Sequence, residues 1–385
     1  MAKIIVTGDW HVHNFRDFAD NILVEWNEEI QRFEESAHGD LMNSRLFDIL
    51  DAIADMRDYA TEHGIECVLH AGDMFHTRAT VDVTAINATR KMLSTLKQRG
   101  ITVIAIAGNH DQVSAAMVPE SSLRSLSDVI LPVECPTMLE KTVMGDLRRE
   151  ILRIAAIPYS KDKSFVMKSV TTLLRESQSE KWGMPILLAH AGIDGGVTGS
   201  GMRSMKDVYS LSDFQSDKFR FCVFGHYHQP QFLSDNAIYC GSICQNDFGD
   251  ERKGFDNSVN NGFWVLNTKS LGKGAFEFVP SHSPRFITIS DKSELAKYDP
   301  DVIETAHIRV RATDSASEEI KEAIQEAGNA EPPKMEICVE KGQVVRSEIS
   351  IKDTPAEAAT VYAKENGADN STLAIGLEIL KAVMA

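Results

Sequence analysis

Five short clusters stand in order along the first 230 residues: Asp9-Trp10-His11, Gly72-Asp73, Gly108-Asn109-His110-Asp111, His190 and Gly225-His226-Tyr227-His228. Aspartate, asparagine and histidine supply oxygen and imidazole donors. That mixture suits manganese, iron or zinc better than magnesium or calcium alone. Asp9, His11, Asp73, Asn109, His190, His226 and His228 are more donors than one ion takes while leaving a position for water. They fit two ions that share one carboxylate. Glycines beside the donors let backbone approach such a pocket closely. Any one histidine alone reads as an ordinary surface or core residue, so His13, His38, His63, His70, His282 and His307 stay unassigned. The ordered set carries the inference.

The elements that must position these donors follow from the apolar pattern. Strand-like runs over 3–7, 66–70, 102–107, 152–157, 185–189 and 221–224 end at polar segments, five of them at the donor clusters. In layered α/β folds, sites collect at the carboxyl ends of strands. On a strand, alternate side chains share a face, so a D-x-H or H-x-H pair can aim both residues at one cavity. Helical spacing marks 44–62, with Ser44 as a cap and Gly64 as a stop, and 82–99, closed by Gly100. The acidic stretch 16–43, between the D-x-H pair and the first of these helices, reads as a solvated helix or a lid over the site. Residues 281–286 form a linker with Pro280 and Pro284 as breakers. Beyond it, 307–311, 317–327 and 335–339 suggest a small strand–helix–strand unit, and 344–351 a further strand. Asp353-Thr354-Pro355 then opens two helical pieces, 355–365 and 371–384. Three regions are expected: 1–280, 286–352 and 353–385.

Composition sets outer bounds. The chain has 385 residues, enough for two or three domains, and its 43% hydrophobic and 25% charged residues are near the globular average. A disordered or fibrous chain is excluded. No run approaches the ~20 apolar residues that span a bilayer, and the first residues enter a strand pattern without a signal-peptide core. Six scattered cysteines with no CxxC read as free thiols of a cytoplasmic protein. The formal net charge is −16, the wrong sign for binding nucleic acid by bulk charge. Residues 286–385 alone hold 11 basic against 19 acidic residues. Any nucleic-acid contact must come from a site, and carboxylates are what divalent cations need.

The order D-x-H, GD, GNH[D/E], H, GHxH resembles the signature of calcineurin-like metallophosphoesterases, over residues 1–230. Gly72-Asp73-Met74-Phe75-His76 is similar to the GDLFH-type block of the SbcD and Mre-eleven double-strand-break repair nucleases. The superfamily's protein phosphatases carry GDxVDRG there. Tyr239-Cys240-Gly241-Ser242 and the stretch Phe248-Gly249-Asp250-Glu251-Arg252-Lys253-Gly254-Phe255 resemble the YPGS, GE and KGF blocks of the same nucleases, with Cys240 in place of the usual proline. The resemblance implies an α/β fold: a two-sheet β-sandwich flanked by helices, with a small α+β capping domain that binds DNA and a C-terminal helical tail. It implies that Asp9, His11, Asp73 and His228 hold one Mn²⁺, and that Asp73 as a bridge, Asn109, His190 and His226 hold a second. Mg²⁺ or another divalent metal is the substitute. Two ions would activate a water for phosphodiester hydrolysis. His110 would protonate the leaving oxygen, Asp111 would orient the His110 ring, and His76 would position DNA. Arg78, Arg203, Ser242, Arg252 and Lys253 are candidate phosphate contacts. The implied activity is that of a DNA exonuclease on duplex ends, an endonuclease, or both. The implied partners are DNA, an SbcC-like SMC-type ATPase held by the tail, and a second copy joined through a four-helix bundle of 82–98 and 116–127. No membrane is involved. The alternatives are a metallophosphoesterase for small phosphodiesters or nucleotides, and a non-catalytic scaffold for the ATPase.

Overall fold

The computed structural model describes residues 2–114, 120–145, 148–178, 183–198, 208–251, 260–337, 355–365 and 370–384. Two six-stranded sheets face each other. The first runs, edge to edge, Phe276–Pro280, Gly262–Asn267, Lys3–Thr7, Cys67–His70, Thr102–Ile106 and Leu131–Val133. The second runs Gln231–Phe232, Ala237–Tyr239, Phe221–Gly225, Ile186–His190, Arg149–Ile157 and Thr137–Met144. The central strands of both sheets are parallel, as is the edge strand Leu131–Val133, and the other three edges are antiparallel.

Strand alternation divides the core into layers. Ile4, Val6, Leu69, Leu188 and Val223 fill the space between the sheets. Ile5 and Val68 point the other way, onto Leu46, Ile53, Met92 and Leu96 of the helices Ser44–Glu62 and Val83–Gln98. Leu187, Ala189 and Phe224 pack on Val166, Val170 and Leu173 of the helix Lys163–Gln178. Both sheets are thus buried on two faces, which explains why their strands read as continuous apolar runs. The parallel direction sends the carboxyl ends of Lys3–Thr7, Cys67–His70, Ile186–His190 and Phe221–Gly225 to one pole of the sandwich.

Three expectations need correction. The acidic stretch is no helix: Asn21–Asn27, Arg32–Glu35 and Asp40–Asn43 form a three-stranded antiparallel sheet. Ile22, Val24 and Trp26 alternate with the exposed Leu23 and Glu25, and Val24, Trp26, Phe33 and Met42 pack with the two outer helices. The cap of Ser44–Glu62 is Asn43, whose side chain accepts from the Leu46 amide, and not Ser44. Nor do the described residues of 116–127, which are 120–127, form an α-helix. Residues Ser122–Leu126 make a 3₁₀ turn that buries Leu123 and Leu126 in the chain's own core; Met117 and Val118 lie outside the described residues.

Beyond the linker, Phe286–Ile289, His307–Ala312 and Lys334–Ile337 form a parallel sheet with the helix Asp314–Glu326 and a core of their own around Ile287, Val310, Ile320 and Ile324. Phe286–Ile289 is a strand where a linker was expected to end. The expected strand 344–351 lies outside the described residues. Helices Pro355–Glu365 and Asn370–Met384 form as expected. Among the described residues no helix is long and apolar enough to cross a membrane, and Cys67, Cys135, Cys222, Cys240 and Cys244 are free thiols.

Candidate metal centre

The seven donors converge at the shared pole, but not by strand alternation alone. Asp9 and His11 lie beyond the strand Lys3–Thr7 in left-handed backbone conformation, with φ of 49° and 48°, and Asp73 has φ of 56°. Such conformations are unfavourable for residues with a Cβ and persist where the surroundings enforce them. Here the Asp9 amide donates to the Gly72 carbonyl at 2.9 Å and the His11 amide to the Asp73 carbonyl at 3.1 Å. Two glycines make room. A Cβ on Gly108 would lie 2.2 Å from Asp73 Oδ1, and one on Gly72 would lie 2.5 Å from His190 Nδ1.

Two donor groups result. Ligand atoms of Asp9, His11 and His228 lie within 4.8 Å of one another, and so do those of Asp73, His190 and His226. Asp73 Oδ2 is 3.8 Å from His11 Nε2 and 3.4 Å from His190 Nε2, which suits the bridging position. His11 Nε2 and His228 Nε2 are 3.0 Å apart. Asn109 Oδ1 is 3.0 Å from His190 Nε2 and 2.9 Å from His226 Nδ1. Donors about 2.1 Å from a common ion and at right angles are about 3.0 Å apart. Both groups therefore have the edge length of a coordination polyhedron, and the residues present fit two divalent ions.

The unused nitrogens and the backbone fix which atoms point inward. His190 Nδ1 donates to the Ala71 carbonyl at 2.7 Å, presenting Nε2. His228 Nδ1 donates to Asp250 at 2.9 Å, also presenting Nε2. The Asp9 carboxylate accepts the His226 amide at 3.0 Å. Asp250 was not singled out in the sequence, although it lies inside the recognised 248–255 block; nothing local to it announces a histidine 22 positions earlier.

The electrostatics call for cations. Burial pushes Asp9 up to about 7 against the pull of His190 and His228. Burial also works to raise Asp73, but His190 and His11 outweigh it and hold that carboxyl well below the usual range. Burial would lower His190 and His228, yet Asp73 lifts the first to about 9 and Asp250 lifts the second to about 10. Carboxylates that raise the buried His190 and the part-buried His228 in this way mark a site built for positive charge.

His110 stands beside the donors, its ring 4.9 Å from that of His11. Its amide donates to Asp73 Oδ1 at 2.7 Å, and its Nδ1 to the His76 carbonyl, so Nε2 is the nitrogen outside that bond. The role expected of Asp111 is therefore corrected. Its carboxylate accepts the amides of Asp73, Met74, Phe75 and Gly108 at 2.8–3.1 Å. It binds two ligand loops together, and the His76 carbonyl orients the His110 ring. The His76 ring stacks on His13 at 5.3 Å and packs near Phe15 at 5.0 Å, forming an aromatic shelf at the mouth.

The two candidate phosphate contacts among the described residues, Arg78 and Ser242, do not gather at the centre. Arg78 is exposed. Ser242 is wholly buried; its hydroxyl donates to the Cys244 carbonyl and accepts from Asn261, so it offers nothing to a surface ligand. Arg203, Arg252 and Lys253 lie outside the described residues.

The chain is 21% identical over 283 residues to exonuclease subunit 1 of Enterobacteria phage T4, covering 73% of this chain and 68% of that one. A protein of Invertebrate iridescent virus 3 named as a phosphoesterase is 23% identical over 233 residues, 59% of this chain and 60% of its own length. Among solved structures, a dimetal phosphatase from Danio rerio superposes with a TM-score of 0.39 and 13% identity, covering 73% of this chain and 99% of that one. The calcineurin-like phosphoesterase family model matches residues 2–230. With the seven donors and the paired sheets in place, the chain belongs to the calcineurin-like phosphoesterases.

Proposed function

We propose that this metal-dependent phosphoesterase is a DNA nuclease subunit of the SbcD and Mre-eleven kind, working with two Mn²⁺ on phosphodiesters of duplex ends or internal sites. The observation that carries the reading is the histidine beside the donors: the His110 ring lies 4.9 Å from that of His11, with Nδ1 tied to the His76 carbonyl and Nε2 outside that bond. When bound, the ion pair supplies an activated water and neutralises charge on the scissile phosphate. Asp9, His11, Asp73 and His228 would hold one ion; Asp73, Asn109, His190 and His226 the other. Asp73 also fixes the His110 backbone, so the proton donor and the bridge keep a set distance. His110 then gives its Nε2 proton to the departing oxygen. The likeness to a phage exonuclease subunit and the Gly72–His76 block favour DNA over a small phosphodiester.

The partners belong to the same proposal. Ile375 and Ile379 sit one turn apart on Asn370–Met384 and are 59% and 60% exposed, an apolar edge for an SbcC-like ATPase. A second copy would pack near Val83, 71% exposed at the start of its helix, although most apolar residues of that helix are spent on the chain's own core. With a net charge of −16, DNA affinity would come from the ions, the small C-terminal sheet unit and these partners.

The test is digestion of end-labelled linear duplex in Mn²⁺ and in Mg²⁺. Release of mononucleotides or of internal fragments in Mn²⁺ is the expected result. Hydrolysis confined to small chromogenic diesters would replace the reading with a small-substrate phosphoesterase. Two bound ions with no hydrolysis of either would leave a scaffold.

A further inference from the structure

The sequential carboxylates Asp250 and Glu251 are each 6% exposed and face opposite ways. Asp250 reaches inward: both its oxygens lie at 2.9 and 3.1 Å from His228 Nδ1, and Oδ2 also accepts the Asn246 amide at 2.8 Å. Glu251 reaches outward to the small C-terminal sheet unit. Its Oε1 accepts the Thr288 amide at 2.8 Å and its Oε2 the Thr288 hydroxyl at 2.6 Å, with Arg309 3.7 Å away. The same loop has two further ties to that unit. Gln245 Oε1 accepts the Phe286 amide at 2.7 Å, and the Phe248 ring meets Phe286 edge-on at 5.0 Å beneath the Arg309 guanidinium.

We propose that Asp250 is the positioning residue for the metal ligand His228, and that Glu251 makes this positioning depend on the seating of the Phe286–Ile289 strand. The physical reason is the absence of slack. Consecutive Cα atoms are held about 3.8 Å apart, so a strand that leaves Glu251 pulls on the residue that aims the imidazole. Asp250 also closes the 246–250 turn on itself, so the loop moves as one piece. A ligand ring whose second nitrogen loses its acceptor turns, and ion affinity falls. The C-terminal unit thereby reports its position to the Asp9–His11–His228 ion site through one peptide unit, and the ion site must bias the C-terminal unit in return. The inference rests on the two-ion reading of the centre and not on the choice of DNA as substrate.

The experiment is a calorimetric titration of the full chain with Mn²⁺, free of nucleic acid, paired with amide hydrogen exchange. D250A should weaken the tighter or the weaker of the two Mn²⁺ sites by roughly 10–100-fold, the usual cost of losing such a support. E251A, which touches neither ion nor ligand, should weaken the same site by about tenfold, and E251Q, which keeps the acceptor for the Thr288 amide, should restore it. In the unaltered protein, Mn²⁺ should slow exchange at the Thr288 amide. D250A binding within twofold of the parent would overturn the positioning role. E251A within twofold, or Thr288 exchange indifferent to Mn²⁺, would overturn the coupling. If E251A fails to fold, T288V takes its place, since it removes the hydroxyl donor and keeps the amide. Because no DNA enters the titration, a negative result leaves the nuclease assay to decide the substrate independently.

Discussion

Gly72 and Gly64 make a matched pair for testing how tightly the centre is built. Both lie in the left-handed region, at φ of 97° and 62°. A Cβ on Gly64 would meet nothing within 4 Å, whereas one on Gly72 would stand 2.5 Å from His190 Nδ1 and 2.8 Å from the Gly108 Cα. Gly64→Ala therefore carries only the backbone cost of about 1–2 kcal/mol. Gly72→Ala carries that cost and a further 1–3 kcal/mol for crowding in a packed interior. His190 has nowhere to retreat, because its Nδ1 is already tied to the Ala71 carbonyl at 2.7 Å. Relief demands roughly 1 Å of movement toward normal contact, several times the ±0.2 Å that a ligand distance tolerates. Urea unfolding without metal should show Gly72→Ala about 2–5 kcal/mol less stable than the parent, with Gly64→Ala between the two. Metal analysis after dialysis should show Gly72→Ala holding less than a full ion pair and Gly64→Ala holding the parent's content. Equal stability losses for the two variants, with two ions retained in both, would refute the argument that Gly72 is reserved for the approach of His190.

Four further outcomes are expected. Asp73→Ala removes the shared carboxylate, so metal analysis should find less than two ions and activity should vanish; two retained ions with normal turnover would end the dinuclear assignment. His110→Ser should keep both ions while single-turnover cleavage slows by ~10²–10⁴-fold, and loss of metal with activity would make His110 a ligand. His190 and His228 stand at about 9 and about 10, above the ordinary 6.5. The stability from their bound protons is complete below pH 6.5 and lost as pH rises through those values. The metal-free protein should therefore melt at progressively lower temperature from pH 7 to pH 10, and a flat or rising Tm would contradict the site's charge balance. Arg57 is wholly buried and donates to the Ile30 and Gln31 carbonyls, Thr95 and Asp58, joining the 21–43 sheet to both outer helices. Arg57→Ala should cost about 3 kcal/mol in urea unfolding, and a loss under about 1 kcal/mol would show that the hairpin is not anchored there.

The amino-acid order by itself determined the chemistry of the centre. Metal donors are a matter of residue type, and their placement after apolar runs is a local pattern, so Asp9, His11, Asp73, Asn109, His190, His226 and His228 could be picked without coordinates. The parallel strands that carry them were legible for the same reason, since burial on both faces leaves an unbroken apolar run. The 21–43 sheet was legible in principle, through the alternation of Ile22, Val24 and Trp26, but its acidic content masked a period of two. What only the tertiary structure decided is which group supports which. Left-handed backbone at Asp9 and His11 is imposed by amides reaching carbonyls some 60 residues away, and at Asp73 by an amide held on the Asp111 carboxylate. Asp111 turned from a partner of its neighbour His110 into a tie for the Asp73 loop, because four backbone amides outcompete one ring. Ser242, the last residue of a recognised block, is held inside by Asn261. Asp250 became the support of His228, and Glu251 the tie to a strand 37 positions on. Hydrogen bonds between distant segments have no periodicity and no fixed spacing, so they leave no mark on the chain until folding brings their ends together.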